Sequence, residues 1–159
     1  MKSMRNAHIV VVGDCERGRL LAAQLRRMAL ARVTTVAEPT EAQVLCQRGE
    51  AHVCIVVRPE LNPDQAPPVA AEAPGRGSGV PSMIMVPVVT AYVRKVARRD
   101  GYMAALPANI AARVLYRRVR AALQCGGGRR GPHRRRPAGP GLPALVSGAH
   151  APEAKPTLH

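Results

Sequence analysis

The sequence predicts an α/β protein in which a doubly wound parallel sheet of five strands is covered on both faces by helices. Three observations predict it. Residues 9–12 (IVVV), 52–57 (HVCIVV) and 82–86 (SMIMV) are short runs with almost no polar alternation, the pattern of strands buried on both sides. Between the runs lie segments with a helical apolar period. The chain has no Phe or Trp and only 3 Tyr, so its core is built from Val, Leu, Ile, Met and Ala, which suits sheet-and-helix layers. A length of 159 residues leaves room for one such domain, placed at residues 7–124, and a tail at 125–159.

The elements follow in order. The first apolar run stops at Gly13-Asp14 and a helix begins at once, with Leu21, Leu25 and Met28 at helical spacing and Arg19, Gln24, Arg26 and Arg27 in the other directions. Residues 32–37 (RVTTVA) read as a second strand. Glu38-Pro39-Thr40-Glu41 supplies a turn and acidic first-turn residues for a helix over residues 39–48, closed by Gly49. The third strand, 52–57, ends at Arg58-Pro59. Residues 59–81 are rich in Pro and Gly, so the third crossover helix is short or missing, with at most a turn or two around residues 69–73.

The fourth strand, 82–86, leads to a helix over residues 90–99. Asp100-Gly101 ends that helix, and residues 102–106 (YMAAL) make a fifth strand stopped by Pro107. Asn109 is the expected N-cap of a last helix over residues 110–124. Ile110, Val114, Leu115, Val119 and Ala122 form its apolar face, and Arg113, Arg117 and Arg120 line up on another. Beyond residue 125 a Gly-, Pro- and Arg-rich stretch shows no apolar period and is expected to be disordered. Five alternations of strand and helix give, most simply, the flavodoxin-like strand order 2-1-3-4-5.

With this order in place, the residues resemble the receiver domain of bacterial response regulators. VVVGDCERGRLLAAQL looks like the receiver's opening strand, acidic turn and first helix; AHVCIVV looks like its third strand and VPSMIMV its fourth. DGYMAAL with Pro107 is similar to the closing strand and its lysine-proline turn. The resemblance implies phosphoryl transfer to an aspartate, with two further acids holding magnesium and a hydroxyl and a lysine binding the phosphoryl oxygens. Carried over residue by residue, those parts are mostly missing. Asp14 remains of the paired acids, with Gly13 in the other place; the acceptor position falls on Val57, followed by Arg58. The hydroxyl position falls on Val86 or Pro87, although Thr90 is near, and the lysine position on Ala105 or Leu106. The resemblance thus implies a degenerate, phosphorylation-independent pseudo-receiver. A displaced acceptor, Asp64 or Glu60, is the alternative that keeps the reaction.

Other chemistry is weakly signalled. Asp14 reads as a cap or dipole partner of the first helix more readily than as a metal ligand. His8 and His52 flank strands at exposed ends. Cys15, Cys46, Cys54 and Cys125 are scattered without a Cys-x-x-Cys pair, which supports neither a zinc site nor a redox motif and reads as ordinary reduced thiols. Gly13-Asp14-Cys15-Glu16-Arg17-Gly18 lacks the third glycine and the spacing of a dinucleotide fingerprint. No nucleophile elbow, carboxylate pair or ligand cluster appears, so an enzyme is the least supported class, and no cofactor or metal is expected.

A net charge of +14 would favour polyanionic partners, or reflects only Arg-rich coding bias. In the tail, Arg129, Arg130, Arg134, Arg135 and Arg136 are suited to weak, non-specific phosphate contact, which makes a basic nucleic-acid-associated protein the rival reading. The resemblance raises instead an interaction surface at Tyr102, Arg113, Arg117 and Arg120, for a homodimer through the last helix or for a partner in a two-component circuit, a histidine kinase or a transcription regulator. The short first apolar run is no secretory segment and no run reaches about 18 apolar residues, so a cytoplasmic protein without membrane association is expected.

Overall fold

A computed structural model describes residues 6–28, 32–59 and 72–126. Nine elements follow one another: β1 (His8–Val12), α1 (Glu16–Arg27), β2 (Arg32–Val36), α2 (Pro39–Gln47), β3 (Val53–Val57), β4 (Ser82–Val86), α3 (Ala91–Arg99), β5 (Ala104–Pro107) and α4 (Ala112–Gly126). The strands form one parallel sheet in the order β2-β1-β3-β4-β5, the flavodoxin-like arrangement expected from the alternation.

Strand alternation divides the core into two layers. Ile9, Val11, Val53, Ile55, Val57, Met83, Met85 and Leu106 face α1 and α4. Val10, Val12, Cys54, Val56, Ile84 and Val86 face α2 and α3. Every residue of β1, β3 and β4 is buried, which is why these strands are continuous apolar runs; β2, at an edge, keeps its polar alternation in RVTTV. Among the described residues of the third crossover there is no helix, only the turns at 74–79; most of the residues proposed for a turn around 69–73 lie outside the described residues. The tail arginines Arg129, Arg130, Arg134, Arg135 and Arg136, and Glu60 and Asp64, also lie outside them.

Several expectations need correction. The N-cap of α1 is Cys15, whose Sγ accepts from the Gly18 N–H at 3.4 Å, while Asp14 is exposed and sits 3.7 Å from Arg19 Nε. Strand β5 lies later than expected. Tyr102 N–H donates to the Ala97 carbonyl at the end of α3, not to the sheet, and pairing runs from Met83–Ala104 to Val86–Pro107. Pro107 is tolerated because β5 is an edge strand: it has no N–H, and Ala108 donates to the Val86 carbonyl instead. Asn109 belongs to the turn after β5, and α4 starts at Ala112. On α4 the buried residues are Leu115, Val119, Ala122 and Leu123, while Val114 is 44% exposed, so the apolar face is rotated from the one expected. His8 is buried, not at an exposed end: its ring nitrogens lie 2.9 Å from the Glu50 carbonyl oxygen and 2.8 Å from Thr34 Oγ1.

Candidate functional site

Parallel sheets gather the ends of their strands at one edge, and in a doubly wound sheet the crevice outside the carboxyl ends is where functional groups collect. Here the ends of β1 and β3 and the start of α2 enclose a cleft of about 280 Å³, lined by Gly13, Asp14, Cys15, Glu38, Val57 and Arg58 among others. The approach of β1 to β3 is tight. A Cβ at Gly13 would lie 3.2 Å from the Val57 carbonyl oxygen and 3.4 Å from Val57 Cβ, and Gly13 has φ of +127°, a conformation that favours glycine. Gly18 is equally constrained, since a Cβ there would overlap the Gly13 carbonyl oxygen. The two glycines thus let α1 start directly against the β1 turn.

The positions that the resemblance compares with a receiver's pocket come together as the strand order requires, and most are apolar. Val57 is 4% exposed and belongs to the layer under α1 and α4; Leu106 lies in the same layer. Val86 is buried in the other layer, with Ala105 half-buried against it. Thr90 is committed elsewhere, its Oγ1 accepting from the Val93 N–H as the N-cap of α3. Charge at this edge is mixed. Asp14 and Glu38 are exposed acids, whereas Arg19 sits beside Asp14, Arg58 lines the cleft, and Arg17 Nη1 donates to the Ala108 carbonyl across the edge at 2.9 Å. The resemblance to a receiver implies magnesium at this edge, but the positions compared with its acids do not fit the ion: Gly13 and Val57 offer no side-chain oxygen, and Asp14 lies 3.7 Å from the Arg19 guanidinium. At the end of β3 Val57 offers no nucleophilic atom; the carboxylates lining the cleft are those of Asp14 and Glu38, and Arg58 brings a cation to it.

The proposed interaction surface is only partly a surface. Arg113, Arg117 and Arg120 are exposed on α4, joined by Arg118. Tyr102 is 3% exposed and packs in the layer under α2 and α3, so it is not part of the exposed surface; the shift of β5 by two residues turned it inward. Burial pushes its phenol up to about 12, with Arg58 pulling the other way. Two features were missed from sequence. Arg17 reaches a carbonyl 91 positions away, for which no local signal exists. Cys46 and Cys54, in no recognisable motif, are brought to 3.3 Å sulfur to sulfur.

The strand order and its two helical layers define a flavodoxin-like α/β module. No family model and no curated protein matches the sequence. Among solved structures, the chain is similar to a protein described as pilus assembly-related from Burkholderia pseudomallei (TM-score 0.65, 16% identity, 79% of this chain and 95% of that one). It is also similar to a CheY-like response regulator receiver domain protein from Methanospirillum hungatei (TM-score 0.58, 14% identity, 76% and 96%) and to the chemotaxis protein CheY4 from Vibrio cholerae (TM-score 0.53, 15% identity, 74% and 98%). At these identities the similarity establishes the receiver fold. No helix among the described residues is long and apolar enough to cross a membrane.

Proposed function

We propose that residues 7–124 form a phosphorylation-independent, receiver-like regulatory module that works by protein contact in a bacterial two-component or related circuit. The observation that carries this reading is Val57: a buried hydrocarbon side chain stands at the end of the third strand, against the backbone of Gly13, where a phosphorylated receiver needs a carboxylate. With no nucleophile there, signalling by this module rests on binding alone. It is read as a non-enzyme that needs no cofactor and acts in the cytoplasm. Its partner is a histidine kinase or a transcription regulator, or a second copy bound through α4, where exposed Arg113, Arg117 and Arg120 favour an acidic counterpart. The likeness to a pilus assembly-related protein adds appendage assembly to the settings in which that partner is sought.

Two measurements test the reading. Incubation with acetyl phosphate and magnesium should leave the mass unchanged; a hydroxylamine-labile phosphoryl adduct would revive a displaced acceptor such as Asp64 or Glu60. Charge reversal of Arg113, Arg117 and Arg120 should abolish self-association or capture of the cognate regulator, while replacing Arg129, Arg130, Arg134, Arg135 and Arg136 should remove only weak, salt-sensitive nucleic-acid binding. The net charge of +14 keeps the nucleic-acid reading alive as the rival. If the tail variant loses the biological activity and the helix variant does not, the rival replaces the receiver-like reading.

A further inference from the structure

A second site lies away from the carboxyl edge and is independent of the proposed signalling role. Cys46 occupies the last turn of α2 and points, with Ala42, into the layer beneath it; Cys54 is the second residue of β3 and faces the same layer. The chain between them reverses at Gly49, whose φ is +72°, and returns within eight positions, which places the two sulfurs 3.3 Å apart. Bonding distance in a disulfide is about 2.05 Å, so the pair must close by only about 1 Å. A cavity of about 640 Å³ lies against Cys46, which forms part of its wall together with Arg48, Arg76 and Ser78. Cys46 is 2% exposed and Cys54 fully buried, so a small reagent entering this cavity meets Cys46 first.

We propose that Cys46 and Cys54 are a hydroperoxide-oxidisable dithiol, with Cys46 the attacking thiolate and Cys54 the resolving thiol. The two sulfurs are not equivalent. The contact with Cys54 favours the Cys46 thiolate against the opposing effect of burial, whereas the same contact and burial both keep the proton on Cys54. Arg48 and Arg76 add positive charge at the cavity wall, the setting in which a thiolate forms; Arg76 also pairs with Glu72 at 3.0 Å, which reduces its share.

The reaction balances with a hydroperoxide as the oxidant. The Cys46 thiol first gives its proton to solvent. The thiolate attacks one oxygen of hydrogen peroxide, an S–O bond forms as the O–O bond breaks, and the departing hydroxide takes up the proton that Cys46 released and leaves as water, so that Cys46 is a sulfenic acid, oxidised by two electrons. The Cys54 thiol attacks that sulfur, the S–S bond forms as the S–O bond breaks, and the departing hydroxide takes the Cys54 proton and leaves as water. The disulfide ties the end of α2 to the start of β3.

The test uses the full chain and hydrogen peroxide. Under native conditions, limiting peroxide should remove two of the four free thiols and lower the intact mass by about 2 Da, as loss of two hydrogens requires. Trypsin cuts after Arg48, so the product should appear as two peptides joined through Cys46 and Cys54 and released by reductant. Cys54→Ser should stop at the sulfenic acid, trapped by dimedone on Cys46, and Cys46→Ser should yield neither disulfide nor dimedone adduct. Circular dichroism checks that both variants fold; if one does not, the wild-type peptide map decides alone. Oxidation of Cys15 or Cys125 while Cys46 and Cys54 stay reduced, or dimedone capture on Cys54 rather than Cys46, would overturn the proposal.

Discussion

Placing an acceptor carboxyl back at the end of the third strand should not recreate a working pocket, and the structure indicates what Val57→Asp will cost. Val57 is 4% exposed, so removing its side chain forfeits about 1.5–3 kcal/mol of apolar burial. The new carboxyl enters a layer formed by Leu21, Leu106 and Leu115, where an unpaired polar group costs about 1–3 kcal/mol. Its position at the strand end lets it turn partly toward water, which offsets some of this. A net loss of about 3 kcal/mol follows. For a folded part of this size that is a Tm lower by about 10 °C, and the variant still folds because domains have about 5–15 kcal/mol to lose. Burial raises the new carboxyl's pKa above its unfolded value of about 3.9, so the loss is smallest below that pH, where the group is protonated in both states, and grows as pH rises through it. Thermal melts by circular dichroism at pH 4.5 and pH 7 measure both effects. Mass spectrometry after acetyl phosphate and magnesium should still find no stable adduct, because residue 13 has no side chain to hold the metal. A Tm within about 2 °C of wild type, or a magnesium-dependent phosphoprotein, would refute the reasoning.

Three further outcomes are expected. Gly18→Ala should lower stability by about 1–3 kcal/mol although alanine favours helices by about 1 kcal/mol, because its Cβ overlaps the Gly13 carbonyl oxygen; an unchanged or raised Tm would show that α1 can shift freely. Burial depresses the His8 pKa below 6.5, so the unfolded chain binds more protons than the folded one between the two values. Stability should therefore be full above about pH 6.5 and fall on acidification through it, and His8→Asn should flatten that slope in melts from pH 7 to pH 5. A chain ending after Gly126 should keep its Tm within about a degree or two, since the sequence beyond it offers no apolar face to bury; a larger drop in a melting scan would mean that those residues pack on the domain.

The sequence by itself determined the strands, the helices and their order, because burial on both faces leaves a mark that needs no partner to read. The runs read at residues 9–12, 52–57 and 82–86 lack polar alternation for the same reason that β1, β3 and β4 are fully buried. It also located Gly13 just after the first strand and Val57 at the end of the third, since those positions are fixed by where the apolar runs stop.

Only the tertiary structure decided what depends on neighbours far along the chain. Tyr102 read as a strand residue and a surface residue, but the register of β5 on β4 begins at Ala104, and the preceding tyrosine turns in under α3. Cys15 rather than Asp14 caps α1 because it is Cys15 that holds the extended backbone of the N-cap position, from which its Sγ reaches the Gly18 N–H. Which residues of α4 are buried depended on how the helix rolls onto the sheet, and Val114 fell outside by a fraction of a turn. The Cys46–Cys54 pair shows the same limit. Cys54 was legible within an apolar central strand and Cys46 only as a scattered thiol; their meeting required α2 to lie on the face that β3's even-numbered residues share, and periodicity along one segment carries no information about which face another segment covers.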